Sequence, residues 1–131
     1  MGKLELNKKR KKSALYNTAF ELFTTKGLAK TTISDIVENA GVAKGTFYLY
    51  FKDKYDIRNK LVSHESSKLF KHAAANLTQY CLKNNLTLGF EDKIIFIADH
   101  IINALNEDKT LLSFISKNLS WGIFREALTS N

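Results

Sequence analysis

Apolar positions recur at helical spacing along nearly the whole of this 131-residue chain. Leu15, Ala19, Phe20, Leu22 and Phe23 mark a first helix over about 9–25, with Gly27 just beyond it. Ile33, Ile36, Val37 and Ala40 fall at i, i+3, i+4 and i+7, the single apolar stripe of a second helix. Phe47 and Phe51 are one turn apart and would pack a third helix, starting near Lys44, onto the second. Ile57, Leu61, Leu69, Ala73, Leu77 and Tyr80 carry a long fourth helix that starts after Asp53, with a break expected around 64–67. A loop over 83–89 follows. Ile94, Ile97, Ala98, Ile101, Ile102 and Leu105 then form a fifth stripe, and Leu111, Leu112, Ile115, Leu119, Phe124 and Leu128 a sixth. The chain has no proline to interrupt any of these. The pattern predicts an all-α fold.

The ends of the second helix are legible in single residues. Thr32 is placed to cap it with its hydroxyl, and Asp35, three residues on, completes a capping box or favours the positive helix end. Gly41 tolerates the left-handed conformation that a helix stop needs, so the chain reverses there and Val42 plugs the seam between the two helices. With Phe47 and Phe51 turned inward, Lys44, Gly45, Thr46 and Tyr48 remain on the leading, outward side of the third helix. That set suits the major groove of double-stranded DNA. Lysine donates to guanine O6 and N7, threonine hydrogen-bonds or touches a thymine methyl, and glycine lets the backbone approach closely. Tyr48, Tyr50 and Lys54 suit phosphates, which fix register and affinity while base-edge contacts carry discrimination.

The run GVAKGTFYLYFKDK, residues 41–54, resembles the helix-turn-helix signature of TetR-type (TetR/AcrR) transcriptional regulators: the glycine turn, the Tyr-x-Tyr-Phe run and the lysine that follows. The likeness covers roughly residues 8–60 and includes the preceding helix, which in that family buttresses the two-helix unit. It implies base-facing roles for Lys44, Gly45, Thr46 and Tyr48, and backbone-gripping roles for Thr32, Tyr50 and Lys54. One position departs from it. Ala43 stands where a serine or other polar residue is common, so the reading helix lacks a side-chain cap, at a cost of about 0.5 to 2 kcal/mol relative to serine.

The resemblance also implies an architecture. A three-helix helix-turn-helix DNA-binding domain, 1–53, would be followed by a helical regulatory and dimerisation region, 54–131, short relative to the family. In such proteins a small-molecule effector shifts the spacing of two reading helices, so that a homodimer no longer fits its palindromic site. The half-sites lie about 34 to 36 Å apart, and a small change removes half the contacts. Phe96, Phe114, Trp121 and Phe124 are the candidates for lining an effector cavity, although aromatics at helical spacing are more often ordinary core.

Charge sharpens this division. Residues 1–60 carry 13 Lys and Arg against 6 Asp and Glu, while residues 61–131 carry 7 of each. The whole net charge of +7 lies with the motif. The run Lys8, Lys9, Arg10, Lys11, Lys12 stands at the start of the first helix, and Lys9 and Arg10 are candidates for phosphate contact. Its other reading is a solvated basic tail. With 44% hydrophobic residues the chain has the means to bury a core.

No apolar run approaches the roughly 20 residues that cross a bilayer, and the basic start lacks a signal peptide's apolar stretch, so no membrane partner and a cytoplasmic location are expected. Cys81 is the only cysteine and is read as a small core residue. His64, His72 and His100 share no i, i+3 or i, i+4 spacing, and no glycine-rich phosphate loop or nucleophile elbow is present. No enzyme activity, metal or cofactor is expected. A competing reading from another class is a helical interaction module, whose basic half meets an acidic protein or a membrane surface and whose Phe47, Tyr48, Tyr50 and Phe51 form ordinary core.

Overall fold

A computed structural model describes residues 2–119 together with Gly122, Arg125, Leu128 and Thr129. Among the described residues up to 119 the helices follow in order: α1 (Lys3–Thr25), α2 (Ile33–Ala40), α3 (Lys44–Tyr50), α4 (Lys54–Lys83), α5 (Phe90–Glu107) and α6 (Lys109–Asn118). No strand occurs among the described residues, so the fold is all-α. The chain divides into two compact units, Met1–Leu61 and Val62–Asn131. None of the described helices is long and apolar enough to cross a membrane.

In the first unit the three stripes converge on one core. Leu15 and Ala19 of α1, Ile36 of α2, Phe47 of α3 and Ile57 at the start of α4 have no exposed surface, and Phe23, Val37, Phe51 and Leu61 close around them. Tyr16 of α1 meets Phe51 edge-on at 5.2 Å. Its hydroxyl pKa is raised, first by burial and then by the nearby charge of Asp56.

Three elements differ from the pattern. α1 begins at Lys3, about six residues before the start expected near residue 9. The added residues are good helix formers, and Leu4 and Leu6 stay exposed, so propensity rather than packing extends the helix. The basic run therefore lies within a helix and not at its start. α4 is continuous through 64–67, because Ser63, Ser66 and Ser67 are buried as small residues instead of breaking the helix. α6 ends at Asn118, whose amide Nδ2 donates to the Phe114 carbonyl at 2.8 Å, and Leu119 turns to extended backbone.

The second unit is differently built. Among its described residues the buried apolar side chains are Val62 and Ala73 of α4 and Phe114 and Ile115 of α6. α5 has the expected amphipathic stripe but no buried residue, and Phe90, Ile94, Ile95 and Ile102 are all more than half exposed. Two ring contacts join α5 to α4. Tyr80 meets Phe96 at 5.3 Å, and His72 Nδ1 lies 3.3 Å from His100 Nε2.

Candidate nucleic-acid interface

The outward face of α3 is set from its neighbours. Thr32 Oγ1 accepts from the Asp35 N–H at 3.0 Å while Asp35 Oδ2 accepts from the Thr32 N–H at 3.0 Å, a complete capping box that fixes where α2 begins. Lys26 Nζ donates to the same carboxylate at 2.9 Å. That ammonium first, and the Thr32 groups after it, hold the Asp35 pKa at about 2, below the ordinary 3.8. At the other end Gly41 takes φ 71°, and the Val42 N–H reaches the Val37 carbonyl at 3.1 Å. The chain thus reverses within three residues and α3 starts at Lys44.

α3 is seven residues long and anchored by Phe47, whose ring packs against Phe51 at 5.4 Å. At about 100° per residue, positions flanking that anchor must face away from it. Lys44, Gly45 and Tyr48 are exposed and Thr46 is partly so. Tyr48 is 52% exposed, which does not fit a reading of that ring as core. Leu49 is 76% exposed and shares this surface. The sequence reading does not include it, yet it lies two positions past Phe47, about 200° around the helix, where periodicity alone places it outward. Ala43 makes no side-chain cap bond. The far end of α3 is held by Lys60, whose Nζ donates to the Tyr50 carbonyl at 3.2 Å.

Tyr50 brings α1 to this surface. The Lys12 ammonium stands 5.6 Å from the centre of its ring, a cation–π contact, and Glu5, Lys8, Lys9, Lys12 and Tyr50 line a shallow groove of about 300 Å³. Lys9 is therefore gathered with Tyr50, and Lys8 and Lys12 join them. Arg10, though exposed, is not part of that lining. Thr32 is exposed at the leading end of α2. Lys54 is placed otherwise than the sequence reading expects: its ammonium turns inward and donates to the carbonyls of Leu28, Thr31 and Ala29 at 2.8, 3.0 and 3.4 Å. Nothing in the local pattern announces this, because the partners lie 23 to 26 residues away.

In the second unit, Glu65, Lys68, Leu69, Lys71, His72, Ala75 and Leu111 are among the residues that line an open groove of about 570 Å³. Phe96 and Phe114 are not among these: Phe96 meets the Tyr80 ring at a tilt of 38° and Phe114 is 4% exposed. Trp121 and Phe124 lie outside the described residues. His72 and His100 meet in space despite their separation in sequence, and no group of three or more metal-binding side chains forms among the described residues.

Comparison with known proteins bears on the same region. The family model described as bacterial regulatory proteins, tetR family, matches residues 15–61. The HTH-type transcriptional regulator YvdT of Bacillus subtilis (strain 168) is 45% identical over 58 residues, 44% of this chain and 28% of that protein. YdgC of the same organism, also an HTH-type transcriptional regulator, is 31% identical over 100 residues, 74% of this chain and 48% of that protein. The fatty acid degradation regulator FadR of Bacillus halodurans superposes with a TM-score of 0.63 at 20% identity, over 88% of this chain and 57% of that one. The first two are similar in sequence, and the third in fold. The chain spans about half or less of the length of these two curated relatives.

Proposed function

Residues 15–61 of this chain belong to the tetR family of bacterial regulatory proteins, and from that premise we propose that the chain acts as a sequence-specific, DNA-binding transcriptional repressor. The observation that carries this reading is the outer face of α3. Lys44, Gly45, Tyr48 and Leu49 stand clear of a helix whose inner face is locked by Phe47, and the lysines of α1 lie beside its end at Tyr50. Lys44, Gly45, Thr46 and Tyr48 read base edges in the major groove, with Leu49 offering an apolar contact to a thymine methyl. Thr32, Tyr50, Lys9, Lys8 and Lys12 hold phosphates. Arg10 adds charge from the open side of α1.

The same reading makes the protein a homodimer on a palindromic operator, released by a small-molecule effector that binds the two states unequally. The 570 Å³ groove of the second unit supports an effector site, being of the size that small ligands occupy.

Selection of bound duplexes from random DNA tests the reading. The expected product is one preferred, palindromic sequence, and Lys44→Ala or Tyr48→Ala then weakens binding to it by about 1 to 3 kcal/mol more than to random duplex. Equal weakening on both, or no preferred sequence, would sink the proposal and leave the basic half as a non-specific surface.

A further inference from the structure

Lys54 opens α4, and its side chain runs back across the helix-turn-helix instead of out to solvent. An ammonium has three protons and no acceptor. Here three carbonyls receive them, those of Leu28, Thr31 and Ala29, at 2.8, 3.0 and 3.4 Å. All three belong to the turn between α1 and α2, and Thr31 directly precedes the α2 cap. That turn is itself fixed: Gly27 takes φ 88°, Thr31 is fully buried, and its hydroxyl donates to the Gly27 carbonyl at 2.7 Å. The lysine's own end is fixed too. Asp53 Oδ1 accepts from the Asp56 N–H at 2.8 Å, and Asp56 Oδ2 from the Lys52 N–H at 2.9 Å.

One side chain thereby joins the two ends of a continuous segment, 32–53, which contains α2, the glycine turn and α3. We infer that Lys54 is a positioning residue that clasps the base of the helix-turn-helix and sets the pose of α3, and that it supplies no phosphate contact. The inference rests on the reading of α3 as the DNA-facing helix. α3 has need of such a clasp. It is two turns long, lacks a side-chain cap, and is anchored by Phe47 alone among its buried residues. A phosphate lysine would keep its protons free for the DNA, whereas this one spends them on the protein. Its worth would be felt as discrimination, since base-edge contacts depend on helix position more steeply than charge attraction does.

Lys54→Met tests this, because it keeps the stem and removes the donors. Three readouts are taken: amide hydrogen exchange, the slope of log K against log salt, and the ratio of affinities for the selected duplex and a scrambled one. The clasp predicts exchange at Thr46–Phe51 faster by about tenfold or more, with the α1 interior unchanged. It also predicts an unchanged salt slope and an affinity ratio reduced by about tenfold. A salt slope lowered by about 0.9, with exchange and ratio as in the wild type, would make Lys54 an ordinary phosphate contact and overturn the inference.

Exchange accelerated equally through α1 would overturn it as well, by showing a merely global loss of stability. Lys54→Arg keeps the charge but presents a planar fork that does not converge on three carbonyls. Wild-type exchange and ratio in that variant would show that charge, not the clasp, is what matters. Lys54→Gln, with one donating group, gives the same tests where the Met variant does not fold. If the wild-type protein prefers no duplex, the DNA reading fails by itself, and the exchange pattern still decides for or against the clasp.

Discussion

The two units treat their apolar surface in opposite ways. In the first, each of α1, α2, α3 and the start of α4 sends at least one fully buried side chain into a shared core, Thr32 and Asp35 cap the start of α2, and Lys54 and Lys60 pair carbonyls of the α1–α2 turn and of the α3 end. In the second, α5 carries a clear amphipathic stripe yet has no fully buried residue, and isoleucines stand open along it. A stripe at helical spacing predicts that a helix forms. Whether the stripe is covered depends on what stands opposite, and the stripe carries no information about that. Open apolar area of this kind marks a surface with interaction potential rather than a finished core.

The largest effect that would sharpen this contrast is expected from Phe47→Ala. Removing the fully buried anchor of α3 should cost about 3 to 5 kcal/mol in chemical denaturation. A cost near that of a surface change would show that the first unit is not the tight core described. A smaller effect is expected from pH. The Asp35 carboxyl is held at about 2 in the folded chain against an ordinary 3.8, so its contribution is fully present above about pH 4 and is lost as pH falls toward 2. Thermal melts of the wild type and Asp35→Asn should therefore differ near pH 6 and converge near pH 2. Melts that stay equally separated across that range would remove Asp35 from the account. The smallest effect is expected from Ile95→Lys in α5, which should change stability by no more than about 0.5 kcal/mol, because the side chain is 65% exposed. A loss of several kcal/mol would mean that α5 is covered in solution and that the contrast between units is false.

What the sequence made legible was mostly local. The capping box of Thr32 and Asp35 and the inward pair Phe47 and Phe51 follow from spacings of three or four residues, the left-handed stop at Gly41 follows from residue type, and all are present as read. The uncapped start of α3 at Ala43 was equally plain. Leu49, two positions past Phe47, lies within reach of the same arithmetic. By contrast, Lys54 turning to the α1–α2 carbonyls and the meeting of His72 with His100 are contacts between residues 23 to 28 positions apart. Such contacts are set by how helices pack, which no short pattern encodes. The break expected at 64–67 is absent for a related reason: Ser63, Ser66 and Ser67 pack as small buried residues within a continuous helix.

The left-handed turn at Gly41 has a consequence for genetics. A methyl group placed at its α-carbon would meet no atom within 4 Å, so crowding is not what excludes other residues there. The obstacle is the handedness of the backbone itself at φ 71°. Trimming a neighbour cannot relieve an obstacle of that sort. A chain with alanine or valine at 41 should therefore lack second-site suppressors that make room, and revertants should return glycine or bring in asparagine, the other residue that visits this conformation readily.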